Sequence, residues 1–332
     1  MKTSTTLVFL FLFVIVTAVY VFLVGNENRE KAMKSLPVES MQLVPLEKDE
    51  QISRLKIENI AKKLSVTLEL QNGKWVILEP VRYVADPLVV EGLATALRLS
   101  TKAKRMTREK DWAEYGLAKP SLKIEVGTTK NKRGRVLDIG DLSPVGNFVY
   151  ARWEGEEECF LLNADLMRAF DQSLYGLRMK RIFRMPLKDV TRIVVQTAAG
   201  NYEIAKMEND WYWVEPVPIL GEKISKRDLD YFFSKIERLF IKEFLDDKAD
   251  SPSDLGFSGL TTRVTVKAGK KEQETLVLGS GFPERDSFYA MRADENTVFL
   301  VSKSILDDFF EGLNTMAQDY SNENGVPAAK PV

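Results

Sequence analysis

The chain of 332 residues contains no histidine. That absence removes the usual general base at neutral pH, the imidazole of serine and cysteine triads, and the commonest zinc or iron ligand. Cysteine is almost as scarce. Cys159 is the only one, so no intrachain disulfide can form. It opens an apolar stretch ending at Leu162 that reads as a strand, which predicts a buried structural thiol; a reactive one would want a cationic neighbourhood. An excess of either charge is also missing. Lys plus Arg total 47 and Asp plus Glu 48, so no global field draws the chain to nucleic acid. Nucleic acid is therefore not an expected partner, and no catalytic, cofactor-binding or metal-binding residues are assigned.

One long stretch lacks charge altogether. Leu7 to Val24 carries only Thr17 and Tyr20 as mildly polar breaks. As a helix it would be roughly 27 Å long at about 1.5 Å per residue, enough to cross a bilayer. The run exceeds the usual apolar core of a cleaved leader, no small-x-small site follows at Gly25 and Asn26, and no cysteine follows to accept a lipid. Residues 1–25 are thus expected to be an uncleaved signal anchor, a single transmembrane helix with the bulk of the chain on the far side. Flanking charges barely decide the orientation, because Lys2 opposes a mixture of Glu27, Arg29, Glu30, Lys31 and Lys34. Residues 26–44 read as a polar juxtamembrane stalk.

The remainder repeats itself. Pro45-Leu46 matches Pro186-Leu187, Ile52 to Leu55 matches Val190 to Ile193, and Asn72-Gly73-Lys74-Trp75 through Pro80 matches Asn209-Asp210-Trp211 through Pro216. Tyr115-Gly116-Leu117 answers Leu255-Gly256-Phe257, Leu137 to Gly140 answers Val277 to Gly279, Val149 to Arg152 answers Phe288 to Arg292, and Phe160-Leu161 answers Phe299-Leu300. The offset stays at about 136 to 141 residues, as a tandem duplication predicts.

Within each copy, alternating apolar residues give strands, and Asn72-Gly73 is a strong hairpin turn. Asp86-Pro87 then reads as an N-cap with proline at the first helical position, with Val90, Leu93 and Leu97 along one face. Ser225 and Asp228 fill the same slot in the second copy, ahead of Leu229, Phe232, Ile236 and Leu239. More strands follow, and Asn163 and Ser302 cap short closing helices. Strands joined by short turns pair antiparallel, so each copy is α+β, with two meanders and two helices, and is no doubly wound nucleotide fold. The expected boundaries are a first repeat at 45–177, a linker at 178–185, a second repeat at 186–318 and a disordered tail at 319–332. The linker's Arg178, Lys180, Arg181 and Arg184 read as a solvated connection.

The motifs NGKWVILEP, YGLAKP, LDIG and FVYARW, in this order and spacing, resemble a bacterial membrane-anchored repeat family catalogued as domain of unknown function 4340. The resemblance covers most of the chain from about Pro45 onward. It implies a place at the bacterial inner membrane with an extracytoplasmic, periplasmic bulk, and ABC transporter components of the gliding-motility type as gene neighbours. It supplies no catalytic residues. The second copy departs from the pattern, with Asp254 to Leu260 in place of the tyrosine-glycine-leucine-to-proline element.

Few residues stand out as sites. Trp75 and Trp211 recur ahead of prolines and read as core. Trp211, Tyr212 and Trp213 alternate along one strand, so one of its faces points elsewhere, and Tyr212 and Trp213 are candidate ligand or partner contacts. Arg152 and Arg292 each follow a tyrosine strand, where an arginine could clamp an anion or pair with a carboxylate of its own repeat; the second reading is preferred at a duplicated position. Arg54 and Arg192 read the same way. Asp246-Asp247 and Asp307-Asp308 read as solvated charge, and Gly279 to Gly281 as a turn lacking the lysine of a phosphate loop. The expected function is a non-enzymatic extracytoplasmic accessory or scaffold subunit of a membrane complex, associated with an ABC transporter and binding a partner protein or envelope substrate. The alternative is an envelope enzyme acting on lipid or glycan through carboxylates and arginines between the two repeats.

Overall fold

The computed structural model describes residues 41–106, 111–216, 219–245, 254–259, 261–269, 272–295 and 297–324. The expected anchor at 1–25 lies outside them, as does most of the stalk. No helix among the described residues is long and apolar enough to cross a membrane. The chain divides into two compact units, Met1–Met179 and Lys180–Val332.

The first unit runs β1 (Met41–Gln42), β2 (Ile52–Asn59), β3 (Leu64–Gln71), β4 (Lys74–Glu79), β5 (Tyr83–Val84), α1 (Pro87–Leu99), β6 (Thr101–Lys102), β7 (Lys104–Met106), β8 (Leu122–Thr128), β9 (Arg135–Leu142), β10 (Phe148–Trp153), β11 (Cys159–Asn163), α2 (Ala164–Ala169) and α3 (Leu174–Leu177). Nine strands form one antiparallel sheet in the order β5-β4-β3-β2-β8-β9-β10-β11-β7, while β1 pairs with β6. Alternation sends Leu55, Ile57, Leu68, Trp75 and Ile77 to one face, where they meet Val90, Leu93 and Leu97 of α1 in a single core. Burying each such side chain stabilises by about 1.5–3 kcal/mol. The Asp86 carboxylate accepts from the amides of Leu88 and Val89, and Pro87 opens the helix. Asn72 and Gly73 both take positive φ, 50° and 76°, as a tight hairpin turn of this hand requires.

The second unit repeats the plan with β12 (Arg192–Thr197), β13 (Gly200–Met207), β14 (Asp210–Glu215), α4 (Lys226–Glu237), β15 (Glu243–Phe244), β16 (Arg263–Ala268), β17 (Glu272–Phe282), β18 (Ser287–Arg292), β19 (Val298–Ser302) and α5 (Lys303–Asn324). Its order, β14-β13-β12-β16-β17-β18-β19-β15, is that of the first sheet without the β5 edge. The core gathers Trp211, Trp213, Phe232, Ile236, Phe299 and Phe309. Ser225 caps α4, accepting from the Asp228 amide. Both Glu79-Pro80 and Glu215-Pro216 are cis, at matched positions.

One further contact recurs in both units. Gly116 and Gly256, at φ 70° and 80°, turn the chain down onto a strand glycine. A Cβ on Gly140 would lie 2.1 Å from the Tyr115 carbonyl oxygen, and one on Gly279 would lie 2.3 Å from that of Leu255. No side chain fits under either turn.

Several expectations need correction. The two units are mostly β, with five helices among the described residues, and the first unit has three helices where two were expected. The end of the stalk belongs to the first unit: Leu43 is buried and its amide bonds to the Ser100 carbonyl. The basic linker is no solvated connection. Arg178, Ile182 and Phe183 are buried, the Met179 amide bonds to Val84, and the Ile241 amide bonds to Lys180. Its apolar residues pack even though its charges suggested exposure. Helix α5 continues past 318 to Asn324, and no glycine or proline interrupts the sequence between Leu313 and Asn324. Gly279 to Gly281 lies inside β17 at a register shift, so it is a bulge in a strand and no turn.

Candidate functional site

The face of the first sheet turned away from α1 carries ordered charge. In register across β2, β8, β9 and β10, Glu58 stands beside Lys123, Lys123 beside Asp138, and Asp138 beside Arg152. Asp138 is only 1% exposed. Its Oδ2 accepts from Arg152 Nε at 3.2 Å, and Lys123 Nζ approaches Oδ1 at 3.3 Å. Lys123 also donates to Glu154 at 2.9 Å, and that bond, with Asp138 adding attraction, holds the ammonium pKa above its ordinary value. Arg152 donates from Nη2 to the Leu117 carbonyl at 3.4 Å and stacks over the Trp112 ring at 4.6 Å. The cluster therefore fastens the short helical turn Trp112–Tyr115 to the sheet, with acid and base neutralising each other beneath it. Arg152 has the preferred structural role.

At the end of the same sheet an open cleft of about 600 Å³ lies where β2 begins and the β3–β4 turn and β8–β9 loop converge. Arg54, Glu69, Glu125, Lys132 and Arg133 line it. The Arg54 guanidinium lies between the two glutamates, with Nη1 4.0 Å from Glu69 and Nε 3.7 Å from Glu125. Both separations exceed hydrogen-bond length. The loop at residues 129–134 folds over Gly127, where a Cβ would meet the Lys132 carbonyl oxygen at 2.9 Å and Arg54 Cβ at 3.0 Å.

The other nominated residues scatter. Trp213 is 1% exposed and sits with Trp211 in the second core, since residues two apart on a strand share a face. It is no open contact, which corrects the expectation. Tyr212 alone points to the opposite side, half-buried and bridged to Lys223. Arg292 is not the counterpart of Arg152. Ala151 pairs with Ile139 and Ala290 with Leu278, so Arg152 corresponds to Met291 and Arg292 to Trp153. Arg292 is 3% exposed, donates to the Ile182 carbonyl at 2.5 Å, and lies 3.5 Å from both Glu274 and Glu295. Trp75 is core as expected, its Nε1 donating to Glu91 at 2.6 Å. Burial pushes the Cys159 thiol pKa up, in keeping with an unreactive group. Asp307 pairs with Lys303 on the exposed side of α5, and Asp246-Asp247 lies outside the described residues. No group of three or more potential metal ligands occurs among the described residues.

Two overlapping matches to the family model described as a domain of unknown function (DUF4340) cover residues 75–257 and 223–320. The chain belongs to the DUF4340 family. No curated protein and no solved structure matches it. Within this DUF4340 chain, Glu125, Lys132, Asp138 and Arg152 fall inside the matched region, and Arg54 and Glu69 precede it.

Sequence reading missed Asp138 and the cleft. Asp138 is a lone acid between Leu137 and Ile139, and strand alternation sends it to the outer face; its burial there involves Lys123 and Arg152, which come from other strands. The cleft had a local signal in Lys130, Lys132, Arg133 and Arg135, which crowd around one turn.

Proposed function

We propose that this protein is a non-enzymatic extracytoplasmic accessory subunit, held at a bacterial inner membrane by residues 1–25 beside an ABC transporter, where it binds a partner protein or envelope substrate. The observation that carries the reading is the state of Asp138 and Arg152. The most enclosed acid on the outer face of the first sheet is paired with two cations, one of which stacks on Trp112, an arrangement suited to holding a surface in place. The apolar run Leu7 to Val24 and the absence of histidine support it. Purification of the full chain from mild detergent tests the proposal: a transporter subunit should accompany it in near-stoichiometric yield, and a chain that always purifies alone defeats the idea.

A second reading, an envelope enzyme acting on lipid or glycan, draws on Glu69 and Glu125 lining the same cleft. Paired carboxylates about 5–10 Å apart are what glycoside hydrolysis uses. It requires turnover of an envelope lipid or glycan that Glu125→Gln abolishes while binding persists.

A further inference from the structure

We propose that the cleft of the first unit binds a small zwitterion, a molecule in which a carboxylate or phosphate lies a few bonds from a primary ammonium. The inference stands independently of the transporter reading, because it rests only on the walls of the cleft.

Charges of both signs face the same space with unused capacity. Arg54 is held between Glu69 and Glu125 at separations too long for hydrogen bonds, so its N–H groups and their oxygens can still take a ligand. Nearby Lys56 is already engaged by Glu58 at 2.6 Å, which raises its pKa. Lys132 and Arg133 add two more cations to the lining. An anion alone would satisfy these cations and meet repulsion from the two glutamates; an amine alone would face the converse. A molecule carrying both charges satisfies both sets. The volume of about 600 Å³ falls in the range of small-molecule sites.

The residues that build the cleft in the first copy are replaced at the matched positions of the second. The β8–β9 loop spans 129–134, whereas only residues 269–271 separate β16 from β17. Register places Lys267 where the first unit has Gly127, and Thr265 where it has Glu125. Gly127 is what lets the loop descend, since its Cβ position is filled by the Lys132 carbonyl oxygen. Arg192, the counterpart of Arg54, is instead hydrogen-bonded directly to Glu203.

Isothermal titration of the full chain in detergent micelles tests the inference, with glycylglycine, O-phosphoethanolamine, inorganic phosphate and ethanolamine as probes. At least one zwitterion should bind about tenfold more tightly than phosphate or ethanolamine, with affinity falling as salt rises. Preference for glycylglycine points to amino-acid or peptide sources. Preference for O-phosphoethanolamine points to a phosphorylated amine, and vesicles of phosphatidylethanolamine against phosphatidylglycerol then separate a lipid headgroup from a free molecule. The exposed double substitution Lys132→Gln with Arg133→Gln should weaken binding about tenfold with far-UV circular dichroism unchanged, and Glu125→Gln should erase the preference over phosphate. Phosphate or ethanolamine binding as tightly as the better of the two zwitterions overturns the proposal, as does the absence of saturable binding below about 10 mM in a folded chain.

Discussion

At matched register the two sheets carry the same strands and different chemistry on their outer faces. The first has Lys123, Asp138 and Arg152 side by side; the second has Arg263, Val277 and Met291. The rim of the core differs in a complementary way. In the first unit Arg135 lies over the Trp153 ring at 4.3 Å, and in the second the same two positions hold Glu274 and Arg292 as an ion pair. A cation is present in both, on neighbouring strands, with an aromatic ring as its partner in one unit and a carboxylate in the other. The duplicated backbone is therefore indifferent to how these positions are filled, provided each filling is internally satisfied. What it does not tolerate is a side chain at Gly140 or Gly279, the contact both units share.

That comparison can be broken at its strongest point by removing Arg292. Arg292→Met leaves Glu274 and the Ile182 carbonyl without their buried cation and should cost about 3 kcal/mol or more, read by denaturant unfolding. If the cost is under about 1 kcal/mol, the network is not what secures the start of the second unit. A medium effect sharpens the outer-face contrast. Asp138→Val alone should destabilise by about 2–3 kcal/mol, because Arg152 and Lys123 lose a common partner, while Asp138→Val with Arg152→Met imports the second unit's pair and should recover most of the loss. Strictly additive costs would show that the two residues do not act together. The smallest effect concerns the end of β8, ahead of the longer loop of the first unit. Its Thr128 donates to Glu50, which holds that carboxyl below its ordinary value of 4.5. The depressed value means the bond contributes fully above pH 4.5 and is lost as pH falls through the lower folded value. Thr128→Val should return Glu50 toward 4.5 in an NMR titration; an unmoved midpoint would assign the shift to other groups.

Much of this fold was legible because its signals are local. The Asn72-Gly73 turn, the Asp86-Pro87 and Ser225 caps and the alternation around Trp75 and Trp211 each rest on a few adjacent residues. Their recurrence at a steady offset revealed the duplication. What escaped was register and coverage. One residue of drift within the repeat turned Arg152 and Arg292 into apparent equivalents, although they lie on opposite faces of their strands. The cleft escaped because it depends on Gly127, whose role appears only when a loop distant from Arg54 in sequence is folded over it.

The junction at Met179 and Lys180 has a practical corollary. Two consecutive residues are hydrogen-bonded into different units, Met179 through its amide to Val84 and Lys180 through its carbonyl to Ile241. A protease needs several residues of extended, unpaired backbone to seat a cleavage site. Despite four basic side chains within 178–184, this stretch offers trypsin no such slack, and the boundary between the copies is a place where digestion of the native chain should be slow.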